Sequence, residues 1–254
     1  MKMSSLYDSL RSKQQAKCKA LAVLIDPDQL DEVSDTLRLI SVCVEHRVDY
    51  FLVGGSLITT NNLGEVIRTI KDECNIPVLL FPGSNLYIES SADAILLLSI
   101  ISGRNPDSLI GQHVVAAPIL KRSNLEIMST GYILINAGNV ASASYMSHTT
   151  PIPYDKNSVA ACTAMAGEML GMKLIYLDVG TDAERPISPK MISAVRKAVD
   201  IPLIIGGGIN NRYKALRAYE AGADMLVVDT IEHASEALTE VAEATYQYNK
   251  KQKV

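Results

Sequence analysis

The chain has no tryptophan and only two phenylalanines, Phe51 and Phe81, among its 254 residues. A large core must then come from Ile, Leu, Val, Ala and Met, and 48% of the chain is hydrophobic. Branched aliphatics at that density suit parallel strands buried on both faces. Cysteine is equally sparse. Cys18, Cys43, Cys74 and Cys162 stand far apart, in no Cys-x-x-Cys or Cys/His spacing, which argues against a zinc site and a disulfide framework. Excess positive charge is missing too: the net charge is −4, with acids and bases interleaved, so the clustered Lys/Arg face of a nucleic-acid binder is absent. The basic end, Lys250, Lys251 and Lys253, reads as a solvated helix terminus. No apolar run reaches the roughly 18 residues a membrane span needs, and the N-terminus lacks a signal-peptide pattern. These absences suggest a soluble, cytoplasmic protein with no nucleic-acid partner and leave transient contact with a membrane surface open.

What is present is a rhythm of short apolar runs. Ala20–Ile25, Tyr50–Val53, Pro77–Phe81, Ala94–Leu98, Tyr132–Ile135, Leu174–Leu177, Pro202–Ile205 and Met225–Val228 are almost continuously hydrophobic, as expected of strands covered on both faces. Eight such runs separated by helical segments predict a closed (β/α)8 barrel spanning residues 1–254 as one domain. Leu6–Lys19 is expected to add a short N-terminal helix. Val114–Ile119, interrupted by Pro118, is assigned to the fourth helix rather than to a ninth strand. Leu30, Val33, Leu37, Ile40 and Val44 form a helical stripe expected to face the core. Asn136–Lys156 reads as the longest irregular segment, the kind that often carries function on a barrel.

Polar or glycine-rich clusters follow almost every predicted strand, and in a barrel those ends share one rim, where active sites lie. Gly206-Gly207-Gly208 after the seventh strand, with Asp229-Thr230 after the eighth, fits a phosphate cradle. Glycines let an anion reach backbone N–H groups, and a tight turn is the plainer alternative. Asp26 and Ser56 end the first and second strands, where a carboxylate and a hydroxyl could hold Mg2+ beside phosphate oxygens. As helix caps the same residues need no ligand, and Asp28 is the better candidate for that capping role. On the sixth strand Tyr176 and Asp178 share a side, and the carboxylate could orient or deprotonate a hydroxyl. His46, His113, His148 and His233 are dispersed and suggest no role.

The order of these motifs is similar to that of the geranylgeranylglyceryl phosphate synthase family, in its longer group with bacterial members. Asp26-Pro27-Asp28, Gly54-Gly55-Ser56, Phe81-Pro82-Gly83-Ser84, Ser102-Gly103-Arg104-Asn105-Pro106, Gly206-Gly207-Gly208-Ile209 and the stretch from Pro151-Ile152-Pro153 through Gly167-Glu168-Met169-Leu170-Gly171 carry the resemblance. It implies an Mg2+-dependent prenyltransferase moving a polyprenyl group from its diphosphate to the free hydroxyl of sn-glycerol 1-phosphate. By the same resemblance Asp26 and Ser56 hold Mg2+, Tyr176 and Asp178 serve the acceptor, and Gly180, Thr181, Asp182, Gly206, Gly207, Gly208, Asp229 and Thr230 hold phosphate. A homo-oligomer is implied as well. Asp178 stands where the family commonly has Glu, and Asp182 and Asp229 add carboxylates to the phosphate turns. A different acceptor or reaction, or a silent homologue that binds prenyl diphosphate or a protein partner, therefore stays open. The apolar channel for the prenyl chain is expected near Tyr87, Leu96–Leu98 and Ile119.

Overall fold

The computed structural model describes residues 5–30, 32–84, 87–138, 141–181, 183, 185–229 and 234–252. In chain order the elements are α1 (Leu6–Gln15), β1 (Ala20–Ile25), α2 (Val33–Glu45), β2 (Tyr50–Val53), α3 (Leu63–Glu73) and β3 (Val78–Leu80). Next come β4 (Ala94–Ile100), α4 (Gln112–Arg122), β5 (Glu126–Asn136), α5 (Ser142–Met146), β6 (Ile152–Pro153) and α6 (Asn157–Met169). The chain continues through β7 (Leu174–Asp178), α7 (Pro189–Arg196), β8 (Leu203–Gly206), α8 (Arg212–Ala221), β9 (Met225–Asp229) and α9 (Ala234–Lys251). A 3-10 turn covers Pro27–Gln29, and a π-helical turn, Asp107–Gly111, leads into α4.

Eight strands pair in parallel in the order β4-β3-β2-β1-β9-β8-β7-β5, and a β5–β4 pairing closes the ring. The result is the expected (β/α)8 barrel. The two-residue β6 pairs with the end of β5, Ile135 opposite Ile152, outside the ring. Alternation along each strand explains the continuous apolar runs. Ala22, Leu52, Leu96, Leu134, Tyr176, Ile204 and Val227 fill the barrel interior. Their neighbours Leu21, Phe51, Ile95, Ile133, Leu177, Ile205 and Leu226 meet the helices outside. Both faces lose water, so neither can be polar.

The opposite end of the barrel is closed by α1. Leu6, Tyr7 and Leu10 join the interior cluster. The Glu126 carboxylate accepts the N–H groups of Leu6 and Tyr7 at 2.7 and 3.0 Å, which satisfies two of the donors that a helix start leaves unpaired. The rim at the strands' C-terminal ends is left for chemistry.

Several expectations need correction. Leu30 precedes α2 and is partly buried; along the helix Ile40 is buried, but Val33, Leu37 and Val44 are 49%, 40% and 49% exposed. The face that packs is Thr36, Ile40 and Cys43. The apolar stripe is rotated from it by roughly 60–100° at 3.6 residues per turn, and periodicity alone does not fix which edge of a stripe meets the barrel. Asn136–Lys156 is not wholly irregular, because it holds α5 and β6. The core is not purely aliphatic either. Tyr176 and Tyr219 are the two largest fully buried side chains, and Phe51 follows them. Val114–Ile119 is helical, within α4, as expected.

Candidate active site

Two cavities open on the rim and share one wall. The first, about 520 Å3, is lined by Asp26, Ser56, Asp178, Gly180, Thr181 and Asp229 among others. The second, about 210 Å3, has an aliphatic side, Ile88, Ile95, Leu97, Leu98, Ile100 and Ala116, and a polar side that includes Asn105, Asp107, Gln112 and His113. Gly55, Ser56, Phe81, Tyr132, Ala143 and Met146 line both. A chamber that holds three carboxylates, the polar chamber, thus adjoins an arm with one aliphatic side, the apolar arm, and Phe81 and Tyr132 form a ridge on their shared wall.

The ridge is an aromatic cluster. Phe81 lies 5.8 Å from Tyr132 and 5.3 Å from Tyr176, centroid to centroid, and the two tyrosines are 5.3 Å apart edge to face. Tyr176 sits one layer deeper in the barrel, beneath Gly206, where a side chain would collide with its hydroxyl at 2.4 Å. It therefore supports the chamber floor rather than lining it. Burial and the charges of Asp178 and Asp229 push both tyrosine pKa values well above their usual range, so both phenols stay protonated.

Asp178 ends β7 and is 8% exposed. Its carboxylate accepts a short hydrogen bond from the Tyr132 hydroxyl and another from Gly180 N–H at 2.9 Å. Burial raises its pKa, while the bonds from Tyr132 and from the Gly180 and Val179 backbone oppose that shift. Burial prevails over those bonds, so the carboxylate is a stronger base than one in water. Asp229 stands at the end of β9, opposite Leu24 of β1.

Asp26 follows β1 and caps the 3-10 turn, its Oδ1 accepting Asp28 N–H at 3.0 Å. Capping falls to Asp26 and not, as the sequence suggested, to Asp28. Asp28 instead faces the loop after β2; burial alone would raise its pKa, but the combined hydrogen bonds from Thr60 and Thr59 outweigh it and lower the pKa to about 2. The Asp26 carboxylate approaches Gly55, with Oδ2 3.4 Å from where a side chain would begin. Burial raises the Asp26 pKa and the bond from Asp28 N–H opposes it.

Gly207 and Gly208 have φ of +79° and +68°, a region that disfavours other residues. A Cβ on Gly207 would lie 2.6 Å from Gly180 O and 3.1 Å from Asp178 Oδ1. The glycine run therefore packs against the turn after β7, beside the polar chamber rather than on its lining. Asp182 and Thr230, both expected at the phosphate site, lie outside the described residues. Of the channel residues, Leu97 and Leu98 line the apolar arm. Leu96 points into the barrel interior, Ile119 is 46% exposed, and the Tyr87 hydroxyl is bonded to the Ile58 backbone.

Residues that spacing did not reveal also form the site. Tyr132 was assigned only to a strand, yet it touches both cavities. His113 and His148 line the apolar arm. His113 Nε2 lies 3.1 Å from Ser99 Oγ, and burial lowers its pKa despite a backbone contact at Leu98. Asn105 bonds the Ser147 carbonyl at 2.6 Å and ties the loop after β4 to the segment after β5.

A closed parallel barrel with a carboxylate-rich chamber at the C-terminal ends of its strands has the layout of the (β/α)8-barrel enzymes. Comparison with known proteins narrows the class. The PcrB family model matches residues 13–245. A geranylgeranylglyceryl phosphate synthase of Spirosoma linguale is 54% identical over 91% of this chain and 93% of its own. One from Chitinophaga pinensis is 48% identical over 96% of both chains. The crystal structure of (S)-3-O-geranylgeranylglyceryl phosphate synthase from Thermoplasma acidophilum, in complex with sn-glycerol-1-phosphate, superimposes with a TM-score of 0.90 at 27% identity, covering 96% of this chain and all of that one. The chain belongs to the PcrB family, among the geranylgeranylglyceryl phosphate synthases, and its enzyme class is prenyltransferase.

Proposed function

We propose that the protein transfers a polyprenyl group from its diphosphate to the hydroxyl of sn-glycerol 1-phosphate. The observation that carries this reading is the shared wall: the polar chamber and the apolar arm meet at Tyr132, above which the reacting carbon and oxygen would lie. The apolar arm takes the prenyl chain, and burial of its methylenes contributes roughly 0.8 kcal/mol each. The acceptor hydroxyl oxygen bonds to the first prenyl carbon as the bond from that carbon to the diphosphate oxygen breaks. Diphosphate leaves with the electron pair, and the hydroxyl proton passes to Asp178.

Charge decides whether a cation is needed. Asp26, Asp178 and Asp229 line the chamber, and none of its described lining residues is Lys or Arg. A carboxylate about 4 Å from a phosphate oxygen costs roughly 4 kcal/mol at an effective dielectric near 20, about three decades of affinity. The donors fit Mg2+: the Asp26 carboxylate, already bonded on one oxygen, and the Ser56 hydroxyl are hard oxygen ligands on adjacent loops, and Mg2+ commonly takes one or two carboxylates plus phosphate oxygens. When bound, the ion neutralises the departing diphosphate. The turn at Gly180 and Thr181, with Gly206–Gly208 behind it, would receive the acceptor phosphate; the Gly180 N–H is bonded to Asp178, so Thr181 supplies the backbone donor.

No described helix is long and apolar enough to cross a membrane, and the reading places the reaction in the cytoplasm. Self-association belongs to it too. The solvent face of α4 exposes Val114, Val115 and Ile119 at 67%, 61% and 46%, a contiguous apolar patch of the kind that marks an interface. A second copy of the chain is its proposed partner, with brief contact to a lipid surface as the alternative. Incubation with labelled sn-glycerol 1-phosphate and prenyl diphosphates of graded length, with Mg2+ or with chelator, tests the activity. A labelled prenyl ether that requires the metal is expected, and no product at any length would overturn the assignment.

A further inference from the structure

The loops after β1 and β2 are fastened to each other by one carboxylate. Asp28 Oδ2 accepts Thr59 N–H at 2.7 Å and the Thr59 hydroxyl at 2.8 Å. Asp28 Oδ1 lies 3.0 Å from Thr60 N and 2.5 Å from the Thr60 hydroxyl. That hydroxyl also lies 2.6 Å from Asn62 Oδ1 and has one proton to share between the two. Asn62 in turn donates its side-chain N–H to the Pro27 carbonyl at 2.9 Å. Thr59, Thr60 and Asn62 all belong to the loop that carries Ser56, and Pro27 belongs to the loop after β1.

The same residue reaches toward Asp26 from its other side. Asp28 N–H donates to Asp26 Oδ1, and Gln29 N–H donates to the Asp26 carbonyl at 3.0 Å. One carboxylate oxygen of Asp26 is thereby fixed, and the group as a whole stands against Gly55, the neighbour of Ser56, with Oδ2 at 3.4 Å and Oδ1 at 3.6 Å from where a Cβ would begin. Asp28 lines neither cavity. It joins the loop of Asp26 to the loop of Ser56, the two residues that the functional reading assigns to Mg2+.

We infer that Asp28 is a positioning residue for the cation site, a clamp that holds Asp26 and Ser56 at ligating distance from a common point. This inference rests on the assignment of Mg2+ to those two residues. Hydrogen-bonded partners behind metal ligands typically contribute 10–100-fold to affinity or activity, because a ligand pair that must be ordered on binding loses the advantage of preorganisation.

Calorimetric titration with Mg2+ and inorganic pyrophosphate measures the clamp without turnover. Asp28→Ala is expected to weaken pyrophosphate binding in Mg2+ by about 10-fold or more. It should lower kcat while leaving KM for sn-glycerol 1-phosphate within about twofold, since the acceptor turn after β7 lies on the far side of the chamber. General damage to the barrel would move both constants. Asp26→Asn, measured in parallel, separates the two ideas. If Asp26→Asn binds as tightly as wild type, the metal assignment fails and the clamp fails with it. If Asp26→Asn loses affinity while Asp28→Ala keeps it, the metal assignment stands and the clamp is refuted. Should Asp28→Ala not fold, the double variant Thr59→Val with Thr60→Val, which removes both hydroxyl donors and keeps the carboxylate, takes its place. A smaller but clear loss of pyrophosphate affinity is then expected, and none would refute the clamp.

Discussion

Asp178 shows how one side chain sets function against stability. Its pKa in the folded protein lies above the unfolded value because burial outweighs the bonds from Tyr132 and Gly180. Protonation therefore favours the folded state. That contribution is complete below the usual carboxylate range and is lost as pH rises through the elevated folded value. At neutral pH the ionised form, the one able to take a proton, is a net cost to stability. Asp178→Asn should consequently lower the single-turnover rate by about 10²–10⁴-fold with prenyl-diphosphate binding nearly unchanged. The same variant should melt higher than wild type at pH 7, with roughly 2–4 °C for each kcal/mol relieved. Its advantage should shrink as pH falls and vanish below the usual carboxylate range. Thermal melts across pH check the second half; a variant that melts lower than wild type at pH 7 would show that the hydrogen bonds outweigh the burial.

Turns rather than strands decide the shape of the site. After β8 the chain doubles back at Gly207, where positive φ and the nearness of Gly180 O both exclude a side chain. Gly54 is held the same way after β2, with Phe81 O only 2.2 Å from a Cβ position. Gly207→Ala should cost about 1–3 kcal/mol in urea unfolding. It should also push the turn after β7 outward and weaken sn-glycerol 1-phosphate binding more than prenyl-diphosphate binding. Equal losses for both ligands would mean that Gly207 supports the barrel generally rather than the acceptor turn.

For the molecule as a whole, the apolar face of α4 is the feature the barrel itself does not need. Ile110, 59% exposed, extends the patch of Val114, Val115 and Ile119. Val115→Lys places a charge at its centre without touching the core, so the barrel should stay folded, its melt lowered only by the stabilisation that the lost interface supplied. Sedimentation velocity should show wild type as a dimer or larger and the variant as a monomer. A monomeric wild type at tens of micromolar, with vesicle binding that the variant loses, would favour the lipid surface instead.

The order of apolar runs and polar strand ends was enough to determine the barrel, because a strand buried on both faces leaves a local signature and its C-terminal end has a fixed rim. It also marked Asp26, Ser56, Asp178 and Asp229, and the family resemblance added Gly180 and Thr181; the fold gathers all of them round one chamber. What local sequence could not decide was phase and depth. Val33, Leu37 and Val44 match a core stripe yet face solvent, since the angle at which a helix lands on the barrel is set by its neighbours. Tyr176 and Tyr132 both occupy strands, but only closure of the ring puts Tyr132 on the ridge between the cavities and Tyr176 beneath Gly206. Asp28 looks like a helix cap in sequence and becomes a clamp because Thr59 and Thr60 arrive from another loop. Contacts between residues about thirty positions apart have no local imprint, and they are what turned a row of strand ends into a site.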